Sequence, residues 1–154
     1  MNKGLVRRMA KFAFRLQSYL GVKEQLEEQK KNEYGQAIKR LEEEKERLRE
    51  MEAELQENIF LFKKALATSI VPQDIQRYNN RIELVKVWIA EQKMHVEAAE
   101  RFVEEKRLEL VEAMKDRKAL ETVKERNYED YLKDEQRAEQ AVVDGIVSYQ
   151  YSGR

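Results

Sequence analysis

The chain has 154 residues, with 42% hydrophobic and 39% charged residues, one proline and five glycines. A chain this rich in Glu, Lys, Arg, Leu and Ala, with so few breakers, reads as long helices in one domain and excludes a sheet protein. No cysteine excludes disulfides and thiol chemistry and fits a cytoplasmic protein, while zero net charge argues against nucleic acid as the main partner.

The charge is unevenly placed. Residues 1–23 hold Lys3, Arg7, Arg8, Lys11, Arg15 and Lys23 and no acid, which leaves 24 basic and 30 acidic residues in the remainder. Those four arginines and lysines from Arg7 to Arg15 interrupt any apolar core of a secretion signal, so the start does not read as a leader. No apolar run is long enough to span a bilayer, which needs about 18 residues. With Leu5, Met9, Phe12 and Leu16 on one face, the start reads as the opening of a helix, or as a contact for an acidic protein or an anionic membrane surface.

Helix 1 is predicted over about residues 12–66. Its apolar column recurs every seven residues through Leu20, Tyr34, Leu41, Leu48, Leu55 and Phe62, with Glu27 the one member out of character. The companion positions Lys23, Lys30, Glu44 and Asn58 are polar, whereas Leu16, Ala37, Met51 and Ala65 are apolar. Gly21 and Gly35 read as tolerated within the helix. The charges from Glu42 to Glu57 read as a solvated face with ion pairs three and four residues apart. A turn is predicted at 67–74. Val71 is pushed away from helical dihedrals by the following proline, and Pro72 suits the first turn of a new helix.

Helix 2 is predicted over about 75–142, with Ile75, Ile82, Ile89, Val96, Val103 and Leu110 in an unbroken column. After Leu110 the same column meets Arg117 and Lys124, while apolar residues sit at Met114, Leu120 and Val123, which reads as a phase slip. Residues 143–154, with Gly145 and Gly153, read as a frayed tail. A spacing of seven keeps one seam of a helix against a partner over many turns, and the single break at Pro72 lets the chain fold back on itself. The expected fold is all-α, a long two-helix antiparallel coiled-coil hairpin with helices of about 80 and 105 Å.

Such a hairpin offers little room for catalysis. No phosphate-cradling G-x-x-x-x-G-K-[ST] loop is present, and His95 is the only histidine. No serine lies in a strand–turn–helix elbow, and there is no second histidine for a two-metal carboxylate bundle. No enzyme activity, cofactor or metal is expected. Large apolar residues crowd the turn instead: Ile59, Phe60, Leu61, Phe62, Ile70, Val71, Ile75, Tyr78, Val85 and Trp88. They read either as a cap packed around the turn or as an exposed partner site.

Three strings resemble the FliJ family of flagellar type III export proteins. The start Phe12-Ala13-Phe14-Arg15-Leu16-Gln17, with Leu20 and Lys23 at their spacing, is similar to that family's opening. Asp74-Ile75 with Tyr78 resembles the start of its second helix. Glu112-Ala113, Asp116-Arg117-Lys118, Leu120-Glu121 and Val123-Lys124-Glu125-Arg126, followed by Tyr128 or Tyr131, is the most specific piece. The family often ends on an Asp-Glu pair, whereas Asp144 is followed here by Gly145.

The resemblance implies a non-enzymatic coiled coil similar to the central stalk of rotary ATPases. It implies three kinds of partner: the hexameric export ATPase, the cytoplasmic domain of the membrane export gate, and export chaperones. By analogy with the stalk, the ATPase ring would take Phe12, Leu16, Leu20, Leu120, Val123 and Tyr131. The gate would take Phe60, Phe62, Tyr78, Val85 and Trp88. The implied location is the cytoplasm, peripheral to the inner face of the cell membrane, with residues 1–23 as a candidate lipid contact. The competing expectation is a generic coiled-coil scaffold in the cytoplasm or on a membrane surface.

Overall fold

The structure is a computed structural model and describes residues 12–68 and 71–153. It contains two helices, α1 from Gln17–Ala67 and α2 from Pro72–Ser152, packed as an antiparallel hairpin. Leu5, Met9 and most of the basic start, together with Ile70 of the turn, lie outside the described residues. Contacts group the chain into two compact units, one of residues up to Glu28 with those from Glu112 on, the other Gln29–Val111.

Helix α1 begins later than the periodicity suggests. Residues 12–14 are not helical, and the Gln17 amide donates to the Phe14 carbonyl at 3.0 Å as the helix opens. At its other end, Thr68 closes α1 with its amide and hydroxyl on the Ala65 carbonyl. Pro72 opens α2, where its missing N–H costs nothing, and the Asp74 amide reaches the Val71 carbonyl at 2.9 Å. The Asp74 carboxylate sits in the first turn, at the positive end of the helix dipole.

The columns face inward. Within Gln29–Val111, Ile82, Val85, Ile89, Val96 and Ala99 of α2 are buried, as is Ala37 of α1. Val85 is fully enclosed. In the other unit Phe14, Leu20 and Ala113 are buried. Past Leu110 the seven-residue column itself holds its phase, while the companion row of Ala113 and Leu120 moves on by one position to Tyr128 and Glu135. Arg117, Lys124 and Tyr131 continue the seven-residue column and are half-buried, whereas Met114 and Val123 lie off it and are 42% and 39% exposed. The column keeps its phase because polar residues on α1 meet those on α2: Arg117 pairs with Glu27, and Lys124 donates to the Gln17 amide oxygen at 2.7 Å.

The polar residues of the seam are therefore matched across it. Glu27, the odd member of the first column, has its partner in Arg117, which also holds Glu121 at 2.6 Å. Lys23 meets Asp116 at 3.3 Å. In the other unit Lys30, Glu33, Lys106 and Glu109 form a closed square of alternating charge, with Lys30–Glu109 at 2.9 Å its shortest side. The buried Gln92 amide donates to both the carbonyl and the carboxylate of Glu44, at 2.9 and 2.6 Å. Among the described residues no buried side-chain nitrogen or oxygen lacks a hydrogen-bond partner. Glu42 to Glu57 behaves as a solvated face, with pairs such as Glu46–Arg49 three residues apart.

Helix α2 runs past 142 to Ser152. Gly145 has open space around it and a helical backbone, so it weakens the helix without ending it. Every residue from Gln136 to Gly153 is exposed.

Candidate partner-binding surfaces

The first surface lies in the unit that contains the start of α1. Residues 12–14 pack back against α2, and the Phe12 ring sits 5.3 Å from Tyr128 in an edge-to-face arrangement and 5.5 Å from Tyr131. Tyr128 and Tyr131 stack at 6.4 Å, and the Tyr131 hydroxyl donates to Glu135. Aromatic pairs at these separations add to the burial of their area. Phe12, Phe14, Gln17, Lys124 and Tyr128 line an open groove of 510 Å³. Its walls are aromatic and its rim carries Lys124 and Glu125, the combination that suits an amphipathic protein segment.

Of the residues expected to meet an ATPase ring, Phe12 and Tyr131 are half-buried in this cluster. Leu16 and Val123 are about two-fifths exposed, at 40% and 39%. Leu120 is half-buried. Leu20, at 2% exposure, is a seam residue and presents no surface. Periodicity could not have found Tyr128 and Phe14 as groove residues, because their placement depends on the non-helical stretch before Gln17.

The second surface lies near the turn, within the other unit. Phe62 and Tyr78 face each other across the hairpin with ring centres 6.3 Å apart. Phe60 points away and is 65% exposed. Trp88 is half-buried beneath the Arg81 guanidinium, which lies 5.0 Å from its ring and also pairs with Glu54. A cation over an indole face fixes both side chains. Asn58, Ala65, Val71, Arg77, Tyr78 and Arg81 contribute to a cleft of 530 Å³. Val85, expected here as a contact, is wholly enclosed in the seam. The crowded apolar residues thus divide: Phe62, Tyr78 and Val85 pack the hairpin, while Phe60, Leu61 and Val71 remain on the surface.

Among the described residues no group of His, Cys, Asp and Glu has a metal-holding arrangement, and no helix is long and apolar enough to cross a membrane. The electrostatics are those of paired surface charge. Glu109 is held below the usual carboxylate range by hydrogen bonds from Lys30 and then Lys106. Lys30 and Lys106 are raised, each chiefly by its bond to Glu109. Glu44 is lowered by the amide of Gln92.

Among curated proteins there is no match. A solved structure described as that of a YscO homologue, CT670, from Chlamydia trachomatis superposes with a TM-score of 0.63 at 22% identity, covering 92% of this chain and 96% of that one. At that identity the likeness is one of fold. The family described as the flagellar FliJ protein matches residues 12–154, which takes in both surfaces and both helices. The chain therefore belongs to the FliJ family, non-enzymatic components of type III protein export.

Proposed function

We propose that the chain is a stalk-like coiled coil of the flagellar export apparatus. It binds the hexameric export ATPase and the cytoplasmic domain of the export gate, and it assists the escort of export chaperones. It works in the cytoplasm at the inner face of the cell membrane. The observation that carries this reading is the family match over residues 12–154, coupled with aromatic surface that the seam does not use. The groove lined by Phe12 and Tyr128, with Tyr131 packed on both rings, is the surface assigned to the ATPase, together with Leu16 and Val123. Phe60, with Phe62, Tyr78 and Trp88, is the surface assigned to the gate.

Addition of the pure protein should raise ATP hydrolysis by the export ATPase, and Phe12→Ala combined with Tyr131→Ala should reduce that rise at least several-fold. No stimulation by the unaltered protein would refute the ATPase assignment. The gate assignment is read from Trp88, the only tryptophan. Its emission should shift to the blue when gate domain is added, and an unchanged spectrum together with no binding removes the assignment.

A scaffold on an anionic membrane surface is the second reading, favoured by the six bases and no acids of residues 1–23. It requires binding to phosphatidylserine vesicles that is lost when those residues are deleted. Unaltered vesicle affinity after the deletion eliminates it.

A further inference from the structure

The closed end of the hairpin differs in charge from the sequence that leads to it. Glu42 to Glu57 holds eight acids and three bases, and the bases find partners within a turn, as Arg47 does in Glu44 and Arg49 in Glu46. From Asn58 to Ile82 the balance reverses, with Lys63, Lys64, Arg77 and Arg81 against the single acid Asp74. Arg81 solves its shortage by reaching back across the hairpin to Glu54. Among the described residues Lys63, Lys64 and Arg77 have no ion pair. Lys64 stands in the last turn of α1 and adds to the positive field of this end.

One of these cations lies in a concavity. Arg77 lines the cleft near the turn, together with Ala65, Val71, Tyr78 and Arg81. Arg81 is committed, paired with Glu54 and laid over the Trp88 ring. Asp74 is the one acid of the lining, and it sits in the first turn of α2, where the helix dipole offsets it. The Asn58 amide in the same wall is spent on the Glu54 carbonyl. Two groups that can donate remain without a partner among the described residues, the Arg77 guanidinium and the Tyr78 hydroxyl. The rest of the wall is apolar. Val71 is 55% exposed, and Leu61, 38% exposed, falls on the same side of α1 as Asn58 and Ala65 at about 100° per residue.

This chemistry selects its occupant. A guanidinium takes a carboxylate through two parallel N–H bonds, and recognition of acidic segments by arginine is a recurring mode of peptide binding. The apolar wall beside Arg77 asks for an aliphatic or aromatic neighbour to that carboxylate. A bilayer fits less well. At about 100° per residue Phe60 and Lys63 fall on the other side of α1 from Asn58 and Ala65, so the apolar and basic residues of this end do not share one outward plane, as binding along a membrane surface requires.

We infer that the cleft around Arg77 is a docking site for an acidic segment of a partner protein, which sets an Asp or Glu against Arg77 and Tyr78 and an apolar neighbour against Ala65 and Val71. The inference names the chemistry of the surface assigned to the gate above, and it rests on that assignment only for the owner of the segment.

The test uses short random peptides displayed on phage and selected on the full chain. Selected peptides should carry Asp or Glu beside Leu, Ile, Val or Phe. One of them, synthesised and titrated, should bind more weakly as salt is added, and about tenfold or more weakly to Arg77→Glu and to Val71→Asp. Lys93→Glu makes the same change of charge at an exposed position outside the cleft and should leave the affinity unchanged. Arg77, Val71 and Lys93 are all exposed, so circular dichroism should show the same helicity in every variant. Selected peptides without acids, or an acidic peptide that binds Arg77→Glu as well as the unaltered chain, would overturn the inference. So would phosphatidylserine vesicles that bind in an Arg77-dependent way while no acidic peptide is selected. A gate domain that fails to displace an Arg77-dependent peptide removes the gate assignment and leaves the cleft inference standing.

Discussion

Val85 shows what a single seam residue contributes. It is fully enclosed, so Val85→Ala should destabilise the hairpin by about 2 kcal/mol through lost transfer energy and an unfilled cavity, read from urea unfolding. Phe60→Ala, on a side chain 65% exposed, should change stability by less than about 0.5 kcal/mol, so any loss of partner binding in that variant reports on contact. Glu27 makes a different case. Arg117→Leu should lower the unfolding midpoint by leaving the half-buried Glu27 carboxylate without its partner, whereas Glu27→Leu with Arg117→Leu should restore the midpoint or raise it. A single sequence shows Glu27 as a flaw in a column and Arg117 as a break in another. Only the register of the two helices shows that they answer each other. The apolar columns were readable because each residue declares itself. The polar members were not, because a charged residue at a seam position looks like solvent-facing charge until its opposite number is known.

At the scale of the element, the helices were well foreseen and their ends were not. The turn at Pro72 follows from the ring and the missing N–H, and the structure opens α2 there. The late start of α1 at Gln17 arises from the packing of Phe12 and Phe14 on α2, a long-range contact to which local periodicity is blind. The continuation to Ser152 reflects the weakness of one glycine as a helix breaker. Gly35 lies within α1 with open space where a Cβ would project. Gly35→Ala should therefore stabilise the chain by about 0.5–1 kcal/mol through helix propensity, without any steric cost. A rise in the urea midpoint with unchanged slope is the expected result, and a fall would mean that the position has a use for its freedom. The exposed aromatic residues, by contrast, were legible as residues but not as surfaces. Phe62 and Phe60 are two positions apart, yet one packs on Tyr78 and the other is 65% exposed.

For the whole molecule, the paired charges set a pH range. Glu33, Glu44, Glu104 and Glu109 are all held below the ordinary carboxylate range, Glu33 by Gln29 and Lys30, Glu104 by Arg107. A group lowered in the folded state stabilises it above its unfolded value, about 4.3 for Glu, and that contribution vanishes as pH falls through the folded value. Lys23, Lys30 and Lys106 are raised, so their contribution holds below about 10.4 and is lost at higher pH. Thermal midpoints should be flat between about pH 5 and 10 and fall outside that range. Glu109→Gln should flatten the acid limb, because it removes the carboxylate that bonds both Lys30 and Lys106.

The exposed end of α2 has a consequence of another kind. From Gln136 to Gly153 every residue is exposed, so this stretch keeps its helix by propensity and by local bonds such as Gln140–Asp144. A helical segment held in that way is marginal in water and loses order gradually with warming, with no sharp transition of its own. The heat-capacity trace of this protein should therefore slope upward well before the hairpin melts, and ellipticity should decline over the same interval while Trp88 emission stays constant. The growth temperature of the cell would then set how many turns of that end are wound when a partner arrives.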